Sequence, residues 1–418
     1  MKDGTKGGIL AGLRVVEAAA FVAAPLGGMT LAQMGAEVIR IDTLGGGLDW
    51  RRWPVTEEGT SLFWCGLNKS KRSVALDLSR PEGRELAMAL VCAPGEDAGL
   101  FLTNFPPRGW LDHEKLRARR ADLIQLTLMG DRHGGSAVDY TVNARVGVPL
   151  FTGEPGAEGA VNHVLPAWDL VTGQMVAVGL LAAERHRRLT GEGQHVKLAL
   201  QDVGLAVMNH LGFLEEARRG QPRQRHGNEL FGAFGRDFVS ADGVRVMVVG
   251  LTLKQWRSLC EALAIEAEVA ALGARLGLDL DLEGNRFLAR RELAAIVGPR
   301  IAARRYEDLA AAFERQGVCF GRYQDVAQLV AGDPECSPAN PMFSSIRQPG
   351  VGEMLAAGLP LDFSAHERLP AAPAPRLGEH TEQVLQELLG VNSSEFGRLH
   401  DARIAVQAPP VGGGGGGL

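Results

Sequence analysis

Short apolar runs alternate with longer amphipathic segments along the first half of the chain. Strands are predicted at 13–17 and 36–42, and the apolar stretch 24–34 between them predicts a helix. Such a strand–helix–strand unit of about 30 residues is typical of a parallel sheet covered by helices. The alternation continues to residue 200, with further strands predicted at 73–78, 99–103, 123–128 and 196–200, and helices at 81–91, 113–120 and 173–188.

The pattern divides the chain into regions of different character. Residues 1–225 predict a large Rossmann-like α/β domain with a parallel sheet, and 226–332 predict a smaller α/β domain with a strand at 244–249. The Pro- and Gly-rich segment 333–400 is expected to return and complete the large domain. A tail over 401–418, which contains six consecutive glycines, is expected to be disordered.

Composition and charge exclude several classes of protein. The formal net charge is -5, and neither a basic tail nor zinc-finger spacing is present, so we expect no binding to nucleic acid. No apolar run reaches the roughly 18 residues of a membrane span, so we expect no membrane association. The five cysteines are scattered without a C-x-x-C pair, which favours free thiols in the cytoplasm. The histidines are dispersed, so no metal site is expected.

The residues alone provide no decisive catalytic motif. The dinucleotide fingerprint, the P-loop and the G-x-S-x-G elbow are missing. The glycines at 45–47 fit either a flexible turn or a loop that lets a ligand approach closely. Asp169 comes just before a long apolar helix, where an aspartate is ordinarily an N-cap. Its role is therefore open at this point.

Five segments, taken in order, carry a recognisable pattern. They are G-L-R-V-V-E at 12–17, L-A-Q-M-G-A-E-V-I-R-I-D at 31–42, N-K-S-K-R-S at 68–73, T-N-F at 103–105 and P-R-L-G-E-H-T at 375–381. Together they resemble the family III CoA-transferases. The resemblance implies an interlocked homodimer, a CoA thioester as substrate and transfer of CoA between carboxylates. Because the substrate carries the CoA, no separate cofactor is expected.

The resemblance also implies candidate site residues. The segment L-P-A-W-D-L-V-T-G at 165–173 occupies the place of the family's nucleophilic aspartate, so Asp169 is expected to attack the thioester. Asn104 lies in the family's E-N-F motif, and Gly232 and Gly235 lie where its glycine-rich loop is expected. CoA phosphates need cations, for which the candidates are Arg40, Lys71, Arg72 and Arg108. Each of these cations could equally be a solvated surface charge.

The type of reaction is narrowed by a departure from the family pattern. Val138 stands where the racemase branch has a histidine, which argues against racemisation and favours transfer. A branch that moves CoA between the two carboxyls of mesaconate is most similar at 21–33, 52–56, 92–96, 161–169 and from Tyr323 onward. This implies intramolecular transfer. The alternative is intermolecular transfer between two acids, and a non-catalytic CoA-binding protein is opposed by the intact segment around Asp169.

Overall fold

The computed structural model describes residues 7–409, which divide into two compact units. The large unit contains the chain up to Val146, His163–Gly212 and the chain from Asp333 onward. The small unit contains Gly147–Asn162 and Phe213–Gly332. The small unit ends at Gly332, the same residue at which the sequence predicted its end. The predicted boundary at 225 does not, because 147–162 and the helix starting at Phe213 already pack with the small unit.

The strands follow one another along both units. In chain order they are β1 (Arg14–Ala18), β2 (Glu37–Thr43), β3 (Arg72–Leu76), β4 (Leu100–Thr103), β5 (Ile124–Met129), β6 (His195–Ala199), β7 (Phe234–Val239), β8 (Arg245–Gly250), β9 (Cys319–Arg322), β10 (Phe343–Gln348), β11 (Gly352–Ala357) and β12 (Ala405–Val406).

The helices are interspersed with these strands. They are α1 (Ala23–Gln33), α2 (Leu62–Leu67), α3 (Pro81–Val91), α4 (His113–Arg119), α5 (Asp139–Val146), α6 (Val148–Phe151), α7 (Ala167–Thr190), α8 (Leu200–His210), α9 (Phe213–Arg218), α10 (Leu253–Leu263), α11 (Glu266–Leu276), α12 (Glu283–Leu288), α13 (Arg290–Ala302), α14 (Tyr306–Gln316), α15 (Val326–Gly332), α16 (Thr381–Leu389) and α17 (Ser393–Asp401). Short 3-10 turns occur at Gly109–Leu111 and Pro334–Cys336.

The sheet of the large unit is doubly wound. Its strand order is β12-β3-β2-β1-β4-β5-β6, and all pairs are parallel except β12 with β3. The six parallel strands thus have the order 3-2-1-4-5-6 of a Rossmann-type sheet, which confirms the predicted fold class. The predicted disordered tail was wrong at its start, because β12 pairs with β3 through Ala405 and Val406. Residues 410–418 lie outside the described residues.

Both faces of this sheet are buried by helices. Val15, Leu102 and Leu126 point to one face and pack against α1 and α7, whose apolar residues complete the same core. The other face packs against α3, α4, α16 and α17. A parallel sheet covered on both faces explains why its strands are almost continuously apolar. The chain after Asp333 returns to this unit and supplies α16 and α17, whereas β12 lies in the segment 401–418 that was predicted to be disordered.

Helices α1 and α7 approach each other closely because glycines face the contact. A Cβ atom added at Gly27 would come within 2.5 Å of Val176 Cγ1, and one added at Gly173 would come within 2.8 Å of Leu26 Cδ2. Helix α7 begins at Ala167, six residues before the predicted start at 173. This early start places Asp169 inside the first turn instead of ahead of it.

The small unit is built on the antiparallel sheet β7-β8-β9. Phe234, Val248 and Trp256 form its core with apolar residues of α10, α11, α13 and α14. Helix α10 starts with a capping box, in which Thr252 accepts from Gln255 N–H and Gln255 accepts from Thr252 N–H. Strand β7 begins inside the segment that the sequence assigned to a glycine-rich loop.

Two further properties bear on the sequence predictions. Within residues 7–409, no helix combines the length and apolarity needed to cross a membrane. All five cysteines are free thiols.

The α1–α7 contact can be tested with two glycine variants of the same helix. We expect Gly173→Ala to lower the free energy of unfolding by about 1–3 kcal/mol, because its methyl group collides with Leu26 and the Ala23 carbonyl. A Cβ at Gly179 comes within 3.2 Å of Leu126 Cδ1 and 4.0 Å of Val196 Cγ1, both ends of side chains, so Gly179→Ala should change stability by less than about 1 kcal/mol. Chemical denaturation of both variants measures this. Equal effects would contradict close packing at Gly173.

Candidate active site

A cavity of about 470 Å³ opens at the carboxyl ends of β1, β4 and β5. Parallel doubly wound sheets bind ligands at this edge, where the strand order reverses between β1 and β4. The walls come from the loops after these strands and from the starts of α1, α5, α7 and α8. Its lining includes Phe21, Ala23, Arg52, Phe63, Asn104, Val138, Asp139 and Asp169.

Asp169 lies in the wall of this cavity as the third residue of α7. Its side chain is half-buried, and its pKa is raised to about 7. Burial is the largest cause and the nearby carboxylate of Asp139 adds to it, whereas the positive charge of Arg52 opposes the shift. Asp169 is therefore a carboxylate that is destabilised in its charged form. Such a group is suited to a role in which it loses its charge by forming a bond.

The buried carboxylate of Asp139 holds the first turn of α7. Its Oδ2 accepts the N–H of Trp168 at 2.7 Å and the N–H of Asp169 at 3.1 Å. The helix has no cap from its own N-cap residue, Pro166. Asp139 therefore satisfies two N–H groups that a helix start leaves free. His163 Nε2 lies 3.0 Å from the other oxygen of Asp139.

Two further hydrogen bonds hold the segment around Asp169 against α5. The indole Nε1 of Trp168 donates to Asn143 Oδ1 at 3.1 Å, which joins α7 to α5. The hydroxyl of Tyr140 donates to the Val164 carbonyl at 3.2 Å. Because these contacts tie α5 to the segment leading into α7, the backbone of Asp169 is held on two sides.

Phe21, in the loop after β1, lines this cavity together with Arg52 and Phe63 from the chain after β2. Phe21 has a positive φ of 70°, an uncommon conformation for a residue with a bulky side chain. The guanidinium carbon of Arg52 lies 5.9 Å from the centre of the Phe21 ring and 5.0 Å from that of Phe63. Strained backbone of this kind tends to persist at binding and catalytic sites, where the surrounding structure holds it in place.

Asn104, a candidate from the T-N-F segment, lies in the same cavity as Asp169. Its Oδ1 accepts from Ala20 N–H at 3.1 Å and its Nδ2 donates to the Ala20 carbonyl at 2.8 Å. The amide therefore joins the loops after β1 and β4 across the point where the strand order reverses. This contact gives Asn104 a role in shaping the cavity.

Two of the predicted cations, Arg40 on β2 and Lys71 just before β3, lie inside the protein. The Arg40 guanidinium contacts Glu17, Asp42 and Asp49 at 3.1, 2.8 and 2.8 Å. The Lys71 ammonium lies 2.9 Å from Glu17 and 2.8 Å from the Pro25 carbonyl.

Burial sets the protonation behaviour of this cluster. It lowers the pKa of Lys71 to about 8, although Glu17 opposes the shift, and it raises the pKa of Glu17. The donors of Arg40 and Lys71 face the chain's own acceptors. The structure thus puts both residues to a use different from the predicted phosphate contacts, namely tying β1 and β2 to α1.

The remaining candidates are spread over the molecule. Arg72 is paired with Glu37 and Glu387. Arg108 is exposed in the loop after β4, where it caps a 3-10 turn through its backbone. Gly232 and Gly235 belong to the small unit, and Gly235 is part of β7. Asp169 and Asn104 are thus the predicted residues that the structure brings into one cavity.

The donor groups of the described chain do not form a metal site. In residues 7–409, no group of three or more His, Cys, Asp or Glu side chains is placed to hold a metal ion. Val138 lines the cavity, so a histidine at that position would have faced the reacting groups. The cavity instead presents a carboxylate nucleophile candidate, a guanidinium and apolar walls. That arrangement fits acyl transfer through an aspartyl intermediate.

Comparison with known proteins identifies the family. Residues 10–381 match the model of CoA-transferase family III. The chain belongs to CoA-transferase family III. Among the family's solved structures, a CAIB/BAIF family protein from Brucella suis superposes with a TM-score of 0.73 at 26% sequence identity, covering 92% of this chain and 100% of that chain.

Two curated relatives match the chain over nearly its whole length. The chain is 59% identical to 2-methylfumaryl-CoA isomerase of Chloroflexus aurantiacus over 401 residues, which is 96% of this chain and 98% of that protein. It is 31% identical to succinyl-CoA:mesaconate CoA-transferase of Haloarcula hispanica, covering 91% of this chain and 96% of that protein.

Two residues of this family III site were missed by the sequence analysis. Asp139 follows Val138 in the segment compared with the racemase branch, but its partners at Trp168 and Asp169 are about 30 residues away. Arg52 lies in a segment that was matched to the family branch without any role being assigned. The two adjacent arginines between Trp50 and Trp53 were the only sequence feature that could have indicated a cation here, and they do not show which arginine faces the cavity.

The raised pKa of Asp169 can be tested through stability. Its pKa is about 7 in the folded protein against an ordinary value of 3.8. Between these values the folded protein retains a proton that the unfolded chain has released, so the wild type loses stability as pH rises. Asp169→Asn does not titrate at this position. We expect the Tm of the variant minus that of the wild type to increase from about pH 4 to pH 7 and then to level off. A difference that does not vary with pH would contradict the raised pKa.

Proposed function

We propose that this family III protein moves CoA between the two carboxyl groups of mesaconate, converting 2-methylfumaryl-CoA to 3-methylfumaryl-CoA. The observation that carries the proposal is the 59% identity to 2-methylfumaryl-CoA isomerase over nearly the whole chain. The cavity supports it, because Asp169 stands in the wall as a carboxylate whose charged form is disfavoured.

The proposed reaction begins with attack of Asp169 on the C1 thioester. A bond forms between the Asp169 oxygen and C1, the C1–S bond breaks, and CoA leaves as a thiolate. The thiolate then attacks the aspartyl carbonyl of the mixed anhydride, which gives an aspartyl-CoA thioester and the mesaconate dianion. Covalent catalysis of this kind divides one difficult exchange into easier steps.

The second half returns CoA to the other end of the same acid. The C4 carboxylate attacks the aspartyl thioester, releasing the thiolate and forming a new anhydride. The thiolate attacks C4, which gives the product thioester and regenerates the Asp169 carboxylate. Atoms and charge balance over the cycle without any further reactant, so no cofactor is needed.

The environment of Asp169 favours the acylated states. Burial and the Asp139 charge both disfavour the free carboxylate. Acylation removes that charge, so the same two influences lower the free energy of the anhydride and the thioester relative to the resting enzyme. Helix α1 also begins at this cavity without a side-chain cap, which leaves its first N–H groups free to stabilise an oxyanion.

Intermolecular transfer is the second candidate. It is favoured by the resemblance to succinyl-CoA:mesaconate CoA-transferase, which carries two acids in its name. The intramolecular reaction requires in addition that the released mesaconate stays in the cavity until its far end has reacted. We also propose that the enzyme is a cytoplasmic homodimer, on the basis of the family resemblance and the free thiols.

The proposal predicts the fate of labelled acid. Incubation of 2-methylfumaryl-CoA with an excess of ¹³C-labelled free mesaconate should yield the C4 thioester without label at early times. Asp169→Asn should lower the rate by on the order of a thousandfold or more. Asp112→Asn, at the start of α4, is the matched control and should retain the rate. Separation of the isomers followed by mass spectrometry measures both quantities. Labelled product from the outset would support intermolecular transfer instead.

A further inference from the structure

Arg52 is a cation in the cavity wall that the protein leaves without an acidic partner. Among residues 7–409, no carboxylate pairs with its guanidinium, which lies beside the rings of Phe21 and Phe63. By contrast, Arg40, Arg72 and Arg187 of the same unit each contact a carboxylate. The guanidinium of Arg52 is therefore free to bind an anion.

The backbone of Arg52 is fixed even though its side chain is exposed. Its N–H donates to the Asp49 carbonyl at 3.3 Å, and its carbonyl accepts from the Ser61 hydroxyl at 2.6 Å. Asp49 is itself held by Arg40 in the buried cluster. The cavity wall thus presents Arg52 from an anchored loop, and this anchoring reduces the entropy lost when the guanidinium binds a ligand.

The position of Arg52 relative to Asp169 indicates which anion it binds. Arg52 lines the same cavity as Asp169 and is close enough to lower the pKa of that carboxyl, yet the two side chains form no ion pair. A ligand acylated on Asp169 would therefore have room to extend towards the guanidinium. A guanidinium binds a carboxylate through two parallel hydrogen bonds, which fixes orientation as well as charge.

Resting on the proposed function, we propose that Arg52 binds whichever carboxylate of the dicarboxylic acid is not bonded to CoA or Asp169. It pairs with the C4 carboxylate while C1 is in the anhydride, and with the C1 carboxylate after the acid has turned. Between these states the acid is a dianion whose carboxylates compete for one cation. Arg52 is thus the residue that retains the acid and makes the transfer intramolecular.

The assignment is tested with Arg52→Met, which removes the charge and keeps much of the apolar stem. We expect its kcat/KM for 2-methylfumaryl-CoA to fall roughly 10- to 100-fold, because one charge-assisted contact to the substrate is lost. Label from ¹³C-mesaconate should also enter the product, since the unlabelled acid now escapes. Arg52→Lys should restore part of both properties.

Arg51→Met is the matched control. Arg51 is the neighbouring exposed cation, but it lines a separate cavity with Trp50 and Trp64. It should keep the wild-type kcat/KM and yield product without label. If Arg52→Met behaved like this control, the assignment would be overturned.

Inhibition by free acids separates carboxylate binding from a general effect. Mesaconate should inhibit Arg52→Met more weakly than the wild type, whereas free CoA, which has no carboxylate, should inhibit both equally. Equal inhibition of the two enzymes by mesaconate, or weaker inhibition of Arg52→Met by free CoA with the acid still retained, would overturn the assignment. The wild type tests the proposed function alone, because an absence of isomerisation by the wild type would refute that function. Normal isomerisation by the wild type, together with wild-type kcat/KM and unlabelled product for Arg52→Met, would refute only the role of Arg52.

Discussion

The hydrogen bonds from the first turn of α7 to the buried carboxylate of Asp139 are the constraint on which the site depends. They fix the backbone of Asp169 while placing a second negative charge beside it. Asp139 thus both positions Asp169 and disfavours its charged form. An apolar residue in place of Asp139 would not accept the free N–H groups of the helix start. It would also remove the negative charge that helps to raise the pKa of Asp169.

The sheet provides the frame for this arrangement. Its strand order reverses between β1 and β4, so the loops after these strands separate and leave a cavity between them. Asn104 bridges the two loops, and the glycines at 27 and 173 let α1 and α7 approach so that both helices begin at this cavity. The buried Arg40 and Lys71 then tie β1, β2 and α1 together beside the cavity-lining loop after β1.

Local patterns predicted the elements whose burial is set by their own sequence. The parallel strands and α3 were predicted within one or two residues, because apolar runs and Pro81 mark them directly. The start of α7 was not, because it is set by Asp139, which lies far away along the chain. Strand β12 has two residues and exists only through its pairing with β3.

Side-chain environment was harder to predict than secondary structure. Arg40 and Lys71 look like surface charges in sequence, since their partners Glu17 and Asp49 come from other segments. Asp169 was identified through the family resemblance, because an aspartate near a helix start is ordinarily a cap. Arg52 could not be distinguished from Arg51 until the loop was folded, since only the fold decides which cavity each side chain faces.

The central claim is that Asp169 itself carries CoA during the reaction. The most direct measurement is to quench the working enzyme with hydroxylamine, which converts an aspartyl thioester to a hydroxamate, and to locate the modification by peptide mass spectrometry. The mechanism predicts a hydroxamate at Asp169 that appears only when 2-methylfumaryl-CoA is present. Rapid turnover without modification of Asp169, or with a hydroxamate at another carboxylate, would contradict it.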